Sequence, residues 1–361
     1  MEFGLSEEQQ MLQQSVGGYL ESNGGLARAR KFADEGESRA EDLWKGLCEL
    51  GVPGLIIPEE HGGLGMPLLN AALVAETLGH YVSPAPFVSS VVMAPMAIAL
   101  AGSDEQKSKW LPSLADGSLI AGAALTETIG ARLDAGIKSD GSTLNGKALF
   151  VLDFEADIYL VADENRDLYV VEANADGLQR NLLTTIDKTR PVGELVFNNV
   201  AAEALSNSAD SDACTRIIDA GRIILAADTL GAAQNMLNQA VAYSKIREQF
   251  GRVIGSFQAV KHMCAEMAAH LEPCRAMMWY AAHVFDAAPE ESRLNACHTK
   301  AHLAEVGKFV GKYATEVHGG VGFTDELGLH YWFKRIGLNR QLLGGPSMVR
   351  EEAAKLQELV S

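Results

Sequence analysis

Asp219 and Arg222 stand three residues apart in text that reads as helix, which puts a carboxylate and a guanidinium on one helix face. Such a pair can present a charged edge to a ligand, or it can be an intrahelical surface ion pair of the common, weak kind. Arg247 opens the run REQFGRVIGSFQ. A guanidinium can grip a phosphate through a planar, charge-assisted fork, and it can equally be a solvated charge at a helix end. Gly319 and Gly320, in VHGGVGFTDE, carry no Cβ and suit either a turn where backbone approaches a ligand or an ordinary helix end. The five cysteines (Cys48, Cys214, Cys264, Cys274 and Cys297) form no C-x-x-C pair and no His-rich ligand spacing, so reduced thiols and no metal site are expected.

Elements long enough to position such groups are available. With 361 residues and 47% hydrophobic composition, the chain can bury two or three packed units. Ser6 followed by Gln9 is a capping box opening a first helix, and the text stays rich in Ala, Leu and Glu to about Gly117. It is broken by VPGLIIPEEHGGLGMP and by Ser83-Pro84-Ala85-Pro86. From 118 to 205 short β-branched or aromatic runs alternate with turn signals: LIAGAALTE, ALFVL, DIYLVA, DLYVVEA and GELVF. Helical text resumes over 206–361, with Leu230, Ala233, Leu237, Ala240 and Val241 marking one face. The fold class expected is α+β, mostly α: an N-terminal helical domain (1–117), a middle β domain (118–205) and a C-terminal helical bundle (206–361).

Lys and Arg number 30 against 47 Asp and Glu, a formal charge of -17, which repels nucleic-acid phosphates and anionic lipid heads. The longest uncharged run, Thr77 to Ser103, is broken by three prolines and suits buried helices better than a membrane span. The opening MEFGLSEEQQ lacks a basic stretch followed by an apolar one, and a cytoplasmic protein is expected.

Three stretches in order, PEEHGGLG (58–65), REQFGRVIGSFQ (247–258) and VHGGVGFTDE (317–326), together with LTE (125–127), resemble the acyl-CoA dehydrogenase family over essentially the whole chain. The resemblance implies a middle domain that is barrel-like, a C-terminal four-helix bundle that assembles as tetramers, and FAD lying between them with its adenosine end reaching the neighbouring subunit. It implies removal of a proton from the α carbon of an acyl-CoA thioester while hydride passes from the β carbon to the flavin, with electron-transfer flavoprotein as acceptor. It assigns Arg247, Gln249, Phe250, Gln258, Gly319 and Gly320 largely to the FAD of the adjacent subunit, Phe257 and Glu316 to cofactor-binding positions, Thr126 to the flavin ring, and Asp219 and Arg222 to the substrate-facing helix.

Several positions depart from the family pattern. Glu316 replaces a usual Gln, Ala131 and Arg132 replace a small pair for the pyrophosphate, and Leu152, two residues after Phe150, replaces a hydroxyl facing the flavin. The two places where the family carries its catalytic Glu read Gly344 and Gly221, so no catalytic base is identified. The retained features are largely those a subunit lends to its neighbour, and the lost ones mostly serve its own flavin and substrate. The expectation is a partner subunit in an α2β2 tetramer, similar to paired dehydrogenases of bulky, steroid-like acyl-CoA thioesters. Two other readings stay open: an active homotetramer with a displaced base such as Asp219, or a flavin-oxygenating relative; and a non-enzymatic scaffold that has lost FAD.

Overall fold

The computed structural model describes residues 4–125, 129, 135–208 and 212–360. Six helices come first: α1 (Glu7–Asn23), α2 (Gly25–Glu35), α3 (Glu41–Glu49), α4 (Leu68–His80), α5 (Ala94–Ala101) and α6 (Asp104–Ala115). The Ser6 capping box closes as expected, Gln9 N donating to Ser6 Oγ at 3.2 Å and Ser6 N to Gln9 Oε1 at 3.0 Å. Ser103 and Gln106 form a second one at the start of α6. The long uncharged run folds as the end of α4, a loop, a π-helical turn over Val88–Met93 and α5. The π turn had no signal in the sequence.

Eight strands follow. β1 (Ala121–Ala124), β4 (Ile158–Ala162), β5 (Leu168–Glu172) and β8 (Glu203–Ala204) form one sheet in the order β1-β4-β5-β8, with β1 and β4 parallel. β2 (Gly136–Ser139), β3 (Thr143–Val151), β7 (Gly193–Ala201) and β6 (Leu178–Leu182) form an antiparallel sheet in the order β2-β3-β7-β6. A single bridge between Ala123 and Leu152 joins the two sheets at a corner. Every residue of β4 is buried, as a strand covered on both faces must be.

The last unit rests on three long helices, α7 (Ala213–Ile246), α8 (Gln258–Ala287) and α9 (Pro289–His318), with α10 (His330–Gln341) packed against α7 and α9 and α11 (Pro346–Leu356) against α9. A two-stranded hairpin, β9 (Glu248–Gln249) and β10 (Arg252–Val253), links α7 to α8. The face marked along α7 is buried at Leu230, Ala233, Leu237 and Ala240 and half-buried at Val241. Upstream, however, α7 is buried nearly all round from Ala213 to Ala233, because the first helical unit covers the side the bundle leaves free. Gly79 and Gly231 make that cover possible. A Cβ on Gly79 would lie 2.0 Å from Asp228 O, and one on Gly231 1.7 Å from Glu76 O, so α4 and α7 touch backbone to backbone.

The three units meet in buried ionic contacts. Arg335 on α10 stands 3.2 Å from Asp187 and 3.1 Å from Asp228, and donates to Ser83 O at 2.9 Å. Arg190 reaches the same Asp228 oxygen at 3.1 Å and donates to the Asn339 side chain, which in turn donates to Asp228 Oδ1 at 2.6 Å. Asp153 accepts from Ser89 N at 2.6 Å; burial pushes its carboxyl upward against the pull of Arg190 and Arg335. Removing one member of a buried ionic set strands the charges left behind, at a cost of about 3–5 kcal/mol. Arg335→Met is therefore expected to lower unfolding stability by that amount, read from the denaturant midpoint at unchanged slope.

Candidate functional site

The two candidate clusters lie at opposite ends of α7. Arg222 and Arg247 are separated by 25 residues, or about 37 Å of helix at 1.5 Å per residue. They cannot grip the same small group within one chain.

At the inner cluster, Asp219 and Arg222 are not a surface pair. Both are buried, with Arg222 Nη1 3.7 Å from Asp219 Oδ1. Arg222 also donates from Nε to Leu343 O at 3.0 Å, from Nη2 to Glu352 Oε2 at 2.8 Å, and toward Cys297 Sγ at 3.4 Å. Burial lifts the Asp219 carboxyl to about 7, against the opposing charges of Arg222 and Arg293. Glu352 behaves oppositely: burial would raise it, but the hydrogen bond and charge of Arg222, with Arg293 2.6 Å away, hold it below the ordinary carboxylate range.

A second buried cation sits behind Arg222. Lys300 donates to Asn339 O, one of the carbonyls that α10 leaves unpaired at its C-terminal end. Burial depresses its ammonium to about 7, helped by the like charges of Arg222, Arg340 and Arg190. Two cations thus hold the backbone that leads into the 342–345 loop. Leu343 and Gly344 both adopt positive φ there, 56° and 103°.

The two positions without the family's Glu are closely packed, Gly221 more tightly than Gly344. A Cβ on Gly221 would meet Leu343 Cδ1 at 2.5 Å and Met93 Sδ at 2.9 Å. One on Gly344 would meet Val349 Cγ2 at 3.0 Å and Arg222 Nη2 at 3.5 Å. Outside them opens a cleft of about 490 Å³, with Arg166, Arg293 and Lys355 among its cations and Ile218 and Met348 on its apolar side. Glu352, Lys300 and Cys297 had no signal in the sequence, since their partners lie 130, 39 and 75 residues away.

At the outer cluster, Arg247 caps the C-terminus of α7 with extended backbone and an exposed side chain. The following two-residue hairpin turns through Phe250 (φ 53°) and Gly251 (φ 73°), the double positive φ of a type I′ turn. That conformation throws Phe250 outward, 92% exposed, with its ring edge-on to Phe257 at 6.1 Å. Arg252 stacks on the other side of Phe257 at 3.9 Å. Gln249 and Gln258 are exposed, and no side chain caps the N-terminus of α8.

Tyr243 near the end of α7 lies against His318 at the end of α9, their ring centres 4.6 Å apart, which brings the distant glycine turn to the same end of the bundle. Gly319 (φ 64°) ends α9, and both Gly319 and Gly320 face open space. Glu316 is exposed, 3.6 Å from Lys312. The segments that carry Arg247, Gln249, Phe250, Phe257 and Gln258 and those that carry Glu316, Gly319 and Gly320 therefore lie at the same end of the bundle. Leu152 is buried on the β side, while Thr126, Ala131 and Arg132 lie outside the described residues.

Two family models match, "Acyl-CoA dehydrogenase, N-terminal domain" over residues 6–118 and "Acyl-CoA dehydrogenase, C-terminal domain" over 212–355. This chain belongs to the acyl-CoA dehydrogenase family. It is 31% identical over 350 residues to acyl-CoA dehydrogenase IpdE2 of Mycobacterium tuberculosis, covering 95% of each chain. Among solved structures, it superposes on the ChsE4-ChsE5 complex from Mycobacterium tuberculosis (TM-score 0.90, 26% identity, 100% of both chains). It also superposes on the Tcur3481-Tcur3483 steroid ACAD G363A variant (TM-score 0.89, 29% identity, 98% of both chains). Among the described residues, no helix is long and apolar enough to cross a membrane.

Two outcomes follow from the inner cluster. Gly221→Glu should destabilise the fold by about 1–3 kcal/mol or more, because its first side-chain atom already collides, and should yield no acyl-CoA oxidation by the single chain. Restored turnover in a dye-reduction assay would refute the packing argument. For Lys300, whose folded value lies below its unfolded 10.5, the stability present at high pH is lost as pH falls towards 7. Wild type should accordingly gain stability relative to Lys300→Met as pH rises from about 7 to about 10, measured by denaturant unfolding at each pH.

Proposed function

We propose that this chain is the non-catalytic partner in a heteromeric acyl-CoA dehydrogenase, completing the FAD site of a Glu-bearing subunit that oxidises a bulky acyl-CoA thioester. The observation that carries the reading is the contrast between the two ends of α7. At one end both places for the family's base are glycines, Gly221 crowded by Leu343 and Met93 and Gly344 held at positive φ close to Val349. At the other, most of the groups that resemble donors to a neighbour's cofactor are exposed, with Phe257 half-buried.

The residues fit FAD from that outer side only. The exposed Arg247, the stacked Phe257 and Arg252, and the open backbone of Gly319 and Gly320 suit the phosphates and outer half of a dinucleotide held mainly by another chain. Leu152 does not fit the inner side, having no hydroxyl to offer a flavin ring. FAD bound in the partner supplies the hydride acceptor, and the α-proton must leave through the partner's carboxylate. This chain's residues bind and orient. An electron-transfer flavoprotein would serve as the electron acceptor. The heteromeric ChsE4-ChsE5 complex and the steroid dehydrogenase among the similar structures support both the pairing and a steroid-like acyl group. Asp219 makes a poor displaced base, since it is enclosed beside Arg222 and faces a site already filled.

Co-expression with a Glu-bearing dehydrogenase subunit should give a complex with flavin and turnover, whereas the single chain should reduce no artificial acceptor with short, long or steroid-bearing acyl-CoA. In that complex Arg247→Ala removes a charge-assisted contact of about 1.5–3 kcal/mol. FAD retention should weaken roughly ten- to a hundredfold, with activity recovered by excess FAD and subunit stoichiometry unchanged. A mutant complex that keeps its FAD as tightly as wild type, or robust turnover by the single chain, would overturn the assignment.

A further inference from the structure

Gly319 and Gly320 open the loop 319–329, which joins α9 to α10 and buries little on its outer half. Val321 and Phe323 are exposed, and both glycines face open space. The loop's own hydrogen bonds are short-range turns: Gly322 N to Gly319 O at 3.0 Å, Thr324 N to Val321 O at 3.0 Å and Gly328 N to Thr324 O at 3.3 Å. The Thr324 hydroxyl donates back to Val321 O at 2.7 Å. Such turns shape a loop without fixing where it stands. Among the described residues, two side chains reach it from other elements with hydrogen bonds. His330 of α10 has its Nε2 2.8 Å from Asp325 Oδ1. Arg30 comes from α2, in a different unit of the fold, and its Nη2 donates to Asp325 O and, at 2.7 Å, to Glu326 O.

We propose that Arg30 is a positioning residue for the partner's cofactor: by holding the carbonyls of Asp325 and Glu326 it fixes the 319–329 loop, so that the backbone of Gly319 and Gly320 is already in place when the outer half of the dinucleotide meets it. Both ends of this brace are rigid. Leu26 and Arg30 stand four residues apart on one face of α2 and meet the loop at Gly328, where φ is 75° and a Cβ would lie 2.7 Å from the Leu26 methyls and 2.8 Å from Arg30 Nη2. Arg28, buried, ties α2 down within its own unit, to Glu37 at 2.5 Å and to Asp42 of α3 at 2.7 Å. On the far side the loop runs into α10, anchored by Trp332, whose Nε1 donates to His80 O at 2.8 Å. A loop ordered beforehand loses less freedom on binding, and that difference appears as affinity for whatever it contacts. Arg30 therefore acts through backbone and needs no contact with the cofactor.

The inference rests on the partner-subunit reading, and its test has two parts so that the two can fail separately. On the full-length single chain, hydrogen exchange of the 320–328 amides should be faster by roughly ten- to a hundredfold in Arg30→Ala, with α7 and α9 as protected as in wild type. Arg30→Lys, which still offers a donor to a carbonyl, should recover much of that protection. In the complex with a Glu-bearing subunit, Arg30→Ala should weaken FAD retention roughly three- to tenfold and raise the FAD needed for half-maximal turnover by the same factor, with turnover recovered by excess FAD. Asp325→Ala, which removes the His330 contact and leaves the carbonyls to Arg30, should act in the same direction and serves if Arg30→Ala does not fold. Loop exchange unchanged by Arg30→Ala overturns the brace, as does a loss of turnover that excess FAD does not recover. FAD retention unchanged by Arg30→Ala, in a complex where Arg247→Ala weakens it, overturns the positioning role and leaves the partner-subunit reading standing. Retention unchanged by both substitutions overturns both.

Discussion

Asp228, buried in the middle of α7, is the point on which the three units converge. Its carboxylate receives Arg335 from α10, Arg190 from the β unit and Asn339 from the last turn of α10. Isolated, any of these charges would be too costly to bury; together they satisfy one another, and only in one arrangement of the three units. Apolar packing alone would tolerate small slides of α7 against α4 and the sheets. The ionic contacts do not, because each guanidinium is shared among partners from different units, Arg335 alone reaching Asp187, Asp228 and the backbone of Ser83. The close α4–α7 approach at Gly79 and Gly231 works in the same direction, since it brings Asp228 O against α4.

A fixed α7 in turn fixes what its two ends can do. The inner end is driven into the interior, where each charge must be answered by another, and the groups there have been spent on one another: Arg222 on Leu343, Glu352 and Asp219, and Lys300 on Asn339. A site whose cations are engaged internally has little left with which to stabilise a developing enolate. The outer end emerges into solvent and carries a strained turn that places Phe250 where nothing in this chain covers it. Val321 and Phe323 are exposed on the neighbouring glycine turn. Such an aromatic and cationic surface gains most when another chain's cofactor removes it from water.

Elements set by local signals are legible in this sequence, and contacts between distant segments are not. Both capping and strand text depend on neighbours a few residues apart, so the Ser6 box and the order of helices and strands were legible. The five positions marked on α7 implied a one-sided helix, whereas its upstream half is enclosed; period counting detects a polar face and has no means of showing that another unit covers it. Asp219 and Arg222 illustrate the same limit. Their spacing is that of an ordinary surface pair, and only the burial imposed by α9, the 342–345 loop and α11 turns it into a carboxyl pushed up to about 7 beside a fully committed guanidinium. The glycines at 221 and 344 were legible as missing bases, but not that Leu343 and Val349 fill the space a base would need.

The two losses reinforce each other physically. With a glutamate at either glycine, the Arg222 guanidinium would have a nearby anion on the catalytic side, and a second carboxylate from α11 would compete with it at like-charge cost. With glycine at both, Arg222 is left as a buried cation in need of a partner, and Glu352 can take that place without opposition. Leu343, at positive φ with its carbonyl held by Arg222, then turns its side chain onto Gly221, where a larger residue could not have admitted it. A base removed from such a site therefore does not leave an empty site behind. It leaves one that draws in on itself, and a side chain restored at 221 has to move Leu343 and Met93 before any carboxylate can act.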